Sequence, residues 1–344
     1  MKKNITRLLI AVFALFAMAS CNNEQMTDEK TSSAADTAAT DKFLQDINAR
    51  INADNENDLL YIERADYYLA NNKVDSALRD ILFAIDINNE NPNHYITLSD
   101  AYLAMGNPDK CLEALNKVLA MEPANQEAML KKAQLYLIMQ DYEQTYSTIA
   151  DLIKIDNVNP VAYFVRGYAR LEQGDTANAI RNFQVAVDQN QEYFEAYLQL
   201  GIIYSAMNDV LAVEYLKNAI ELQPNTIEPY YQMALFFQNS GQTEKAVTTY
   251  NNILDIDPEH KFAVYNLGYI NLVYLHNYQA AAEYFTNTIQ IDPEYVQAWY
   301  NRGYSYELMG NEEFARKDYE KTLDLSRNYP RAIEGLNRLD EQVN

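Results

Sequence analysis

From residue 58 onward the chain repeats itself. A small residue stands at Ala65, Ser99, Ala133, Gly167, Gly201, Ala234, Gly268 and Gly303, at intervals of 34, 34, 34, 34, 33, 34 and 35 residues. Twelve residues after most of these comes a second: Ala77, Cys111, Thr145, Ala179, Ala212, Ala246, Ala281 and Ala315. Two helices cross closely only where both side chains are short, and each copy supplies one such residue per helix. A period of this length means that each copy is one helix pair that buries its apolar face only by stacking on its neighbours.

Large residues flank the small ones at helical offsets. Four before the first small residue stand Tyr61, Tyr95, Met129, Tyr163, Tyr197, Tyr230, Val264 and Trp299. Four after the second stand Ile81, Leu115, Ile149, Phe183, Leu216, Tyr250, Phe285 and Tyr319. Pro123, Pro224, Pro258 and Pro293 stop four second helices, because proline lacks the N–H and fixes φ.

An aromatic, a small-residue crossing, a second alanine, a Phe or Tyr and a terminal proline, recurring every 34 residues, resemble the tetratricopeptide repeat (TPR). The resemblance covers residues 58–329. It implies an all-α fold, a right-handed superhelical solenoid of about eight helix-turn-helix repeats: 58–91, 92–125, 126–159, 160–193, 194–226, 227–260, 261–295 and 296–329. Departures from the pattern are local. Arg170 stands where Tyr102 and Tyr204 stand in their repeats, and Thr145 replaces alanine. Repeat five is one residue short near Asn208, and repeat seven has one extra between Tyr274 and Asn277.

A stacked array needs its terminal apolar faces covered. Residues 41–57 put Phe43, Leu44, Ile47 and Ile51 on one helical face, predicting an N-terminal capping helix. Residues 330–344 predict a C-terminal capping helix, with Ala332, Ile333, Leu336 and Leu339 inward and Arg331, Glu334, Arg338 and Glu341 outward.

The beginning of the chain reads as an address. Lys2, Lys3 and Arg7 precede an apolar run, Leu8 to Ala17, far shorter than the roughly 20 residues that span a bilayer. It ends in Met18-Ala19-Ser20-Cys21, which resembles a bacterial lipobox. The resemblance implies a signal peptide over residues 1–20 and a lipidated Cys21 as the processed N-terminus. Ala17-Met18-Ala19 also satisfies the rule for an ordinary secretory signal, so both processing routes stay open. Residues 21–40 hold no aromatic or branched aliphatic side chain and read as an unordered tether. The expected location is the cell envelope of a Gram-negative bacterium. Asn22 favours the outer membrane, with the periplasmic or outer side open.

Charge and composition exclude several function classes. The 344 residues hold 27 basic and 49 acidic side chains, a net −22, which argues against a nucleic-acid partner. Two cysteines leave no disulfide scaffold, and Cys111 falls at a helix crossing, where a buried, inert thiol is expected. His94, His260 and His276 have no metal-site spacing and are read as exposed turn residues. No phosphate-binding glycine loop or Gly-flanked serine occurs, so no catalytic residue, metal or cofactor is expected, and the chain is read as a non-enzyme.

The TPR resemblance implies an inner, concave face lined by first-helix positions 2, 5, 6, 9, 12 and 13, counting the first small residue as position 8. Position 6 reads Glu63, Thr97, Lys131, Val165, Gln199, Gln232, Asn266 and Asn301, a carboxamide in each of the last four repeats. An amide both donates and accepts, so such a row can hold an extended peptide backbone. Beside it, positions 5 and 9 give Leu198, Tyr231, Tyr265 and Tyr300, then Ile202, Leu235, Tyr269 and Tyr304. Lysine and asparagine are missing from the sites that would clamp a free C-terminal carboxylate. Glu127, Glu172, Glu195, Glu228 and Glu307 against Lys131 make the face acidic and favour a neutral or basic segment.

The expected function is therefore a lipid-anchored scaffold, touching membrane only through its anchor and binding an envelope protein through an extended segment. Two alternatives stay open. A glycan or small ligand would stack on the same tyrosines, and self-association through the C-terminal repeats would make the groove an internal interface of a homo-oligomer.

Overall fold

The computed structural model describes residues 33–341, with side chains from residue 42. Its described residues form 18 α-helices and no strand. They fall into two compact units divided between Gln191 and Glu192.

The first unit opens with α1 (Ser33–Ala53), followed by the pairs α2 (Asp58–Ala70) and α3 (Val74–Ile87), α4 (Pro92–Ala104) and α5 (Pro108–Met121), α6 (Gln126–Ile138) and α7 (Tyr142–Ile155), and α8 (Pro160–Glu172) and α9 (Thr176–Gln189). The second unit holds α10 (Phe194–Ala206) and α11 (Leu211–Leu222), α12 (Ile227–Asn239) and α13 (Thr243–Ile256), α14 (Lys261–Val273) and α15 (Tyr278–Ile291), and α16 (Val296–Leu308) and α17 (Glu312–Leu325), then α18 (Pro330–Glu341). Even-numbered helices from α2 to α16 are first helices, and each packs on its own second helix; within a unit the second helix packs on the next first helix. The signal segment, Cys21 and the tether up to residue 32 lie outside the described residues. The expected tether is corrected at its far end, where residues 33–40 belong to α1. Its Ser-Ala-Ala-Asp-Thr-Ala-Ala-Thr run contains four alanines, the strongest helix former, and is continuous with the amphipathic cap.

The crossing residues are buried as expected. A Cβ added to Gly167 or Gly268 would meet the ring of Phe183 or Phe285 at 2.9 Å, so these glycines serve close approach. Thr145 satisfies its hydroxyl on the Asp141 carbonyl at 2.9 Å, which lets it replace alanine. Cys111 is buried, and burial pushes its thiol up to about 11.

Turns are built by short side chains. Asn91, Asn107 and Asn159 each cap a helix whose first residue is proline, and accept from the backbone N–H of Asn93, Lys110 and Ala162. Between the helices of every repeat one residue takes a left-handed backbone: Asn72, Gly106, Gln140, Gly174, Asn208, Gly241, His276 and Gly310. The missing residue of repeat five removes the start of α11, and the extra residue of repeat seven is absorbed before His276. Between repeats, Asn88, Asp156, Asp257 and Asp292 accept from the backbone N–H two residues on. The position-4 aromatics fasten these loops: Tyr61, Tyr95, Tyr163 and Trp299 each donate to the carbonyl six residues upstream.

Both terminal repeats carry a buried clamp. Arg64 grips Asp80 through two bonds of 2.6 and 2.7 Å, and Arg302 grips Asp318 through two of 2.7 and 2.8 Å. Each also reaches backward, Arg64 to Asn48 in α1 and Arg302 to Thr286 in α15. The caps close the ends. Ile47 and Ile51 bury against Leu60 and Tyr61, and Phe43 stacks on Tyr67. At the other end Ala332 and Leu339 bury against Tyr300 and Tyr319, whose ring also lies against Gly303 and Gly335.

Two side chains of α18 differ from expectation. Ile333 is exposed. Arg338 stays partly exposed but folds over Glu307 and holds it through bonds of 2.7 and 2.8 Å, supplying a cation to a carboxylate that is largely withdrawn from water. His94 is likewise corrected. It is fully buried, with Nδ1 against the Asn88 carbonyl at 2.9 Å and Nε2 near the Asp58 carboxylate at 3.1 Å and the Asn91 amide, so it knits the turn between the first two repeats. His276 is an exposed turn residue, and His260 is a half-buried helix cap.

Candidate functional site: the first-helix face of repeats five to eight

All nine residues expected to bind a peptide lie in the second unit. Gln199 is on α10, Tyr231 and Gln232 on α12, Tyr265, Asn266 and Tyr269 on α14, and Tyr300, Asn301 and Tyr304 on α16. Because position 6 of one first helix faces position 5 of the previous one, amides and phenols meet across repeats. Asn301 Nδ2 donates to Tyr265 Oη at 2.8 Å, and Asn266 Nδ2 donates to Tyr231 Oη at 3.4 Å and Tyr250 Oη at 3.0 Å. Tyr250 in turn donates to Gln238 Oε1 at 3.1 Å. The two asparagine NH₂ groups are thus engaged inside the protein and serve as braces between repeats. Gln232 donates to Glu228 within its own helix at 2.7 Å. Gln199 stays half-buried on α10, outside the Tyr–Asn chain.

The position-5 tyrosines are sealed on their flank by rings that sequence reading passed over. Tyr231 meets His260 edge-on at 5.9 Å, Tyr265 meets Tyr295 at 5.1 Å, and Tyr300 meets Tyr329 at 5.3 Å. These partners share one sequence position, the last residue before a first helix or before the cap. Their own spacing, 35 and then 34 residues, was the available signal. Phe262 adds an exposed ring near Tyr231, His260 and Tyr295. Burial raises the phenols of Tyr231, Tyr265 and Tyr300, keeping them neutral donors, and lowers His260, keeping it neutral at pH 7.

What remains open to a ligand is a partly exposed surface of Gln199, Gln232, Leu235, Phe262, Tyr269 and Tyr304 over a bonded inner layer. Trp299 is no part of it. Its Nε1–H is bound to the Pro293 carbonyl and Arg302 covers its ring. Glu307 is charged although burial opposes it, because Arg338 and Tyr319 both donate to it and hold it below the usual carboxylate range. In the first unit Lys131 is spent on Asp100, at 2.8 and 3.0 Å, and Glu63 on Arg50. Among the described residues no group of three or more His, Cys, Asp or Glu could hold a metal ion, and no helix is long and apolar enough to cross a membrane.

Four family models described as tetratricopeptide repeat match residues 92–135, 164–225, 227–260 and 296–329. A human PEX5-related protein is 29% identical over 102 residues, 29% of this chain and 16% of that protein. Human tetratricopeptide repeat protein 6 is 26% identical over 155 residues, 42% of this chain and 28% of that protein. The chain thus spans well under two thirds of these relatives. Among solved structures, the C-terminal part of a TPR repeat-containing protein from Cytophaga hutchinsonii has a TM-score of 0.50 at 16% identity, covering 80% of this chain and 99% of that one. A tetratricopeptide repeat protein from Parabacteroides merdae has a TM-score of 0.49 at 15% identity, covering 72% and 98%. The helix pairs of this chain are tetratricopeptide repeats.

Proposed function

We propose that this chain is a non-enzymatic scaffold of a bacterial cell envelope, held at the outer membrane by a lipid on Cys21. Its second unit holds an extended segment of a partner protein on the first-helix face. The observation that carries this reading is the two-layer construction of that face. Tyr231, Tyr265, Asn266 and Asn301 are tied to one another from repeat to repeat, and Gln232, Phe262, Tyr269 and Tyr304 stand above them, partly exposed. Rings and amides fixed in this way lose little freedom when a segment settles on them, and rigid aromatic surface is what peptide grooves use. The lipid anchor rests on Lys2, Lys3, Arg7, the apolar run and the Met18-Ala19-Ser20-Cys21 sequence.

Two experiments test the two halves of this reading. Crosslinking pull-down from envelope fractions compares the native chain with a Gln232→Ala, Tyr269→Ala, Tyr304→Ala variant of unchanged helicity, and the expected result is loss of one or two specific proteins. An unchanged set of captured proteins removes the peptide-binding face. Cys21→Ser should release the protein from the membrane fraction; continued membrane association of that variant removes the anchor.

A further inference from the structure

The first-helix face of the second unit is electrically divided. In repeats seven and eight two acids near the face are neutralised in place. Glu307 is held by Arg338, and Asp292 by Lys261 at 2.7 Å, whose ammonium also lies 5.1 Å from the rings of both Phe262 and Tyr295.

In repeats five and six the acids are left with no cation. Glu195 and Glu228 occupy the same place, position 2, on α10 and α12. Neither of those helices contains a lysine or arginine. Glu228 accepts only the neutral Gln232 amide, and neither carboxylate has an ion-pair partner among the described residues. Repeat three shows the alternative. There Glu127 stands at position 2, and the residue four further on is Lys131, 3.9 Å away. In repeats five and six that residue is Gln199 or Gln232. A lysine fits this position in the fold, and a glutamine takes it here. Glu195 is moreover half-buried, and burial raises its carboxyl above the ordinary glutamate range, so its charge is poorly hydrated and gains most from a cation brought to it.

Building on the peptide-binding reading above, we infer that the partner segment is bipartite: a lysine or arginine seats against Glu195 and Glu228, and an aromatic or large aliphatic residue rests on Phe262, Tyr269 and Tyr304. Geometry sets the spacing. Neighbouring packed helices stand about 10 Å apart and an extended chain advances about 3.3 Å per residue, so one repeat takes about three residues. Two repeats separate the acidic end from the aromatic end, which puts the cation and the apolar residue about six positions apart. A free carboxylate end has no cation to meet at repeats five and six, and an acidic segment is repelled there.

The test is selection of phage-displayed random dodecapeptides on the full chain, followed by titration of the enriched peptides as synthetic, labelled probes. The expected winners carry Lys or Arg about six residues from Phe, Tyr, Trp, Leu or Ile. They lose at least about tenfold in affinity, together with most of their salt dependence, against Glu195→Gln, Glu228→Gln. Winners that lack a basic residue, or that bind this variant unchanged, while still lost with Tyr269→Ala, Tyr304→Ala, overturn the bipartite segment and leave the groove standing. No enrichment, or winners indifferent to both variants, overturns the groove and this inference with it.

Discussion

Asn301 reaches across a repeat boundary to the hydroxyl of Tyr265, 36 residues earlier, with a donor distance of 2.8 Å. Asn301 is buried and its ring partner is sealed by Tyr295, so the bond is made away from bulk water. Removing Asn301 leaves a partly buried hydroxyl with one partner fewer. Asn301→Ala and Tyr265→Phe should each destabilise by about 1 to 2 kcal/mol, and a double-mutant cycle in urea should return a coupling near 1 kcal/mol. Additive effects would show that the two side chains do not act as a pair.

The bond between α16 and α18 is charged. Glu307 is partly withdrawn from water, and Arg338 and Tyr319 support its charge. Arg338→Ala should cost about 1 to 2 kcal/mol by leaving that carboxylate without its cation, a value kept below that of a buried pair because the guanidinium is partly open to solvent. Hydrogen exchange should locate the loss in α18 and the end of α16, while Arg331→Ala, at an exposed site, should leave protection there unchanged.

A stabilising change is expected at Gln140. Its φ is +60°, in the left-handed region, at the turn position that Gly106, Gly174, Gly241 and Gly310 fill in alternate repeats. A side chain with a Cβ is strained there and glycine is not. Gln140→Gly should raise stability by about 0.5 to 1 kcal/mol, read as a higher urea midpoint with unchanged slope.

Stability of the first unit should carry a signature of Asp66. Partial desolvation by its neighbours on the first-helix face, and then the charge of Asp100, push its carboxyl up to about 6 from the ordinary 3.8. A raised value means that the folded state binds the proton more tightly. The associated stability is complete below the unfolded value and is lost as pH rises from about 4 to about 6. Asp66 is more than a third exposed, so solvent screening keeps the effect under about 1 kcal/mol. Asp66→Asn should flatten this part of the profile in thermal melts taken across that range, and an unchanged slope would assign it to other groups.

The repeat boundaries were legible in the sequence because they rest on short residues at fixed intervals, and Gly167, Gly268 and Thr145 stand where the period put them, buried at the crossings. The surface of the site was legible by position only. Position alone casts Asn266 and Asn301 as hands for a ligand, whereas their NH₂ groups are spent on Tyr231, Tyr250 and Tyr265. A one-dimensional period gives each residue its place on its own helix and says nothing of the hydroxyl that the neighbouring copy brings within reach. Arg338 is hidden from sequence reading for the same reason: it stands at an outward place by periodicity and meets Glu307, which another helix brings within reach. His94 differs, because it stands at position 3, where Ala128, Ala162, Ala196, Ala263 and Ala298 are buried, so the period itself places it inside.

The Arg64–Asp80 and Arg302–Asp318 clamps each lie within one copy, guanidinium and carboxylate sixteen positions apart, in the first and last copies of the series. Gain or loss of an interior copy, as unequal recombination between similar segments produces, leaves both clamps with both partners. Descendants of such events could lengthen or shorten the reach of the protein while inheriting the same two finished ends.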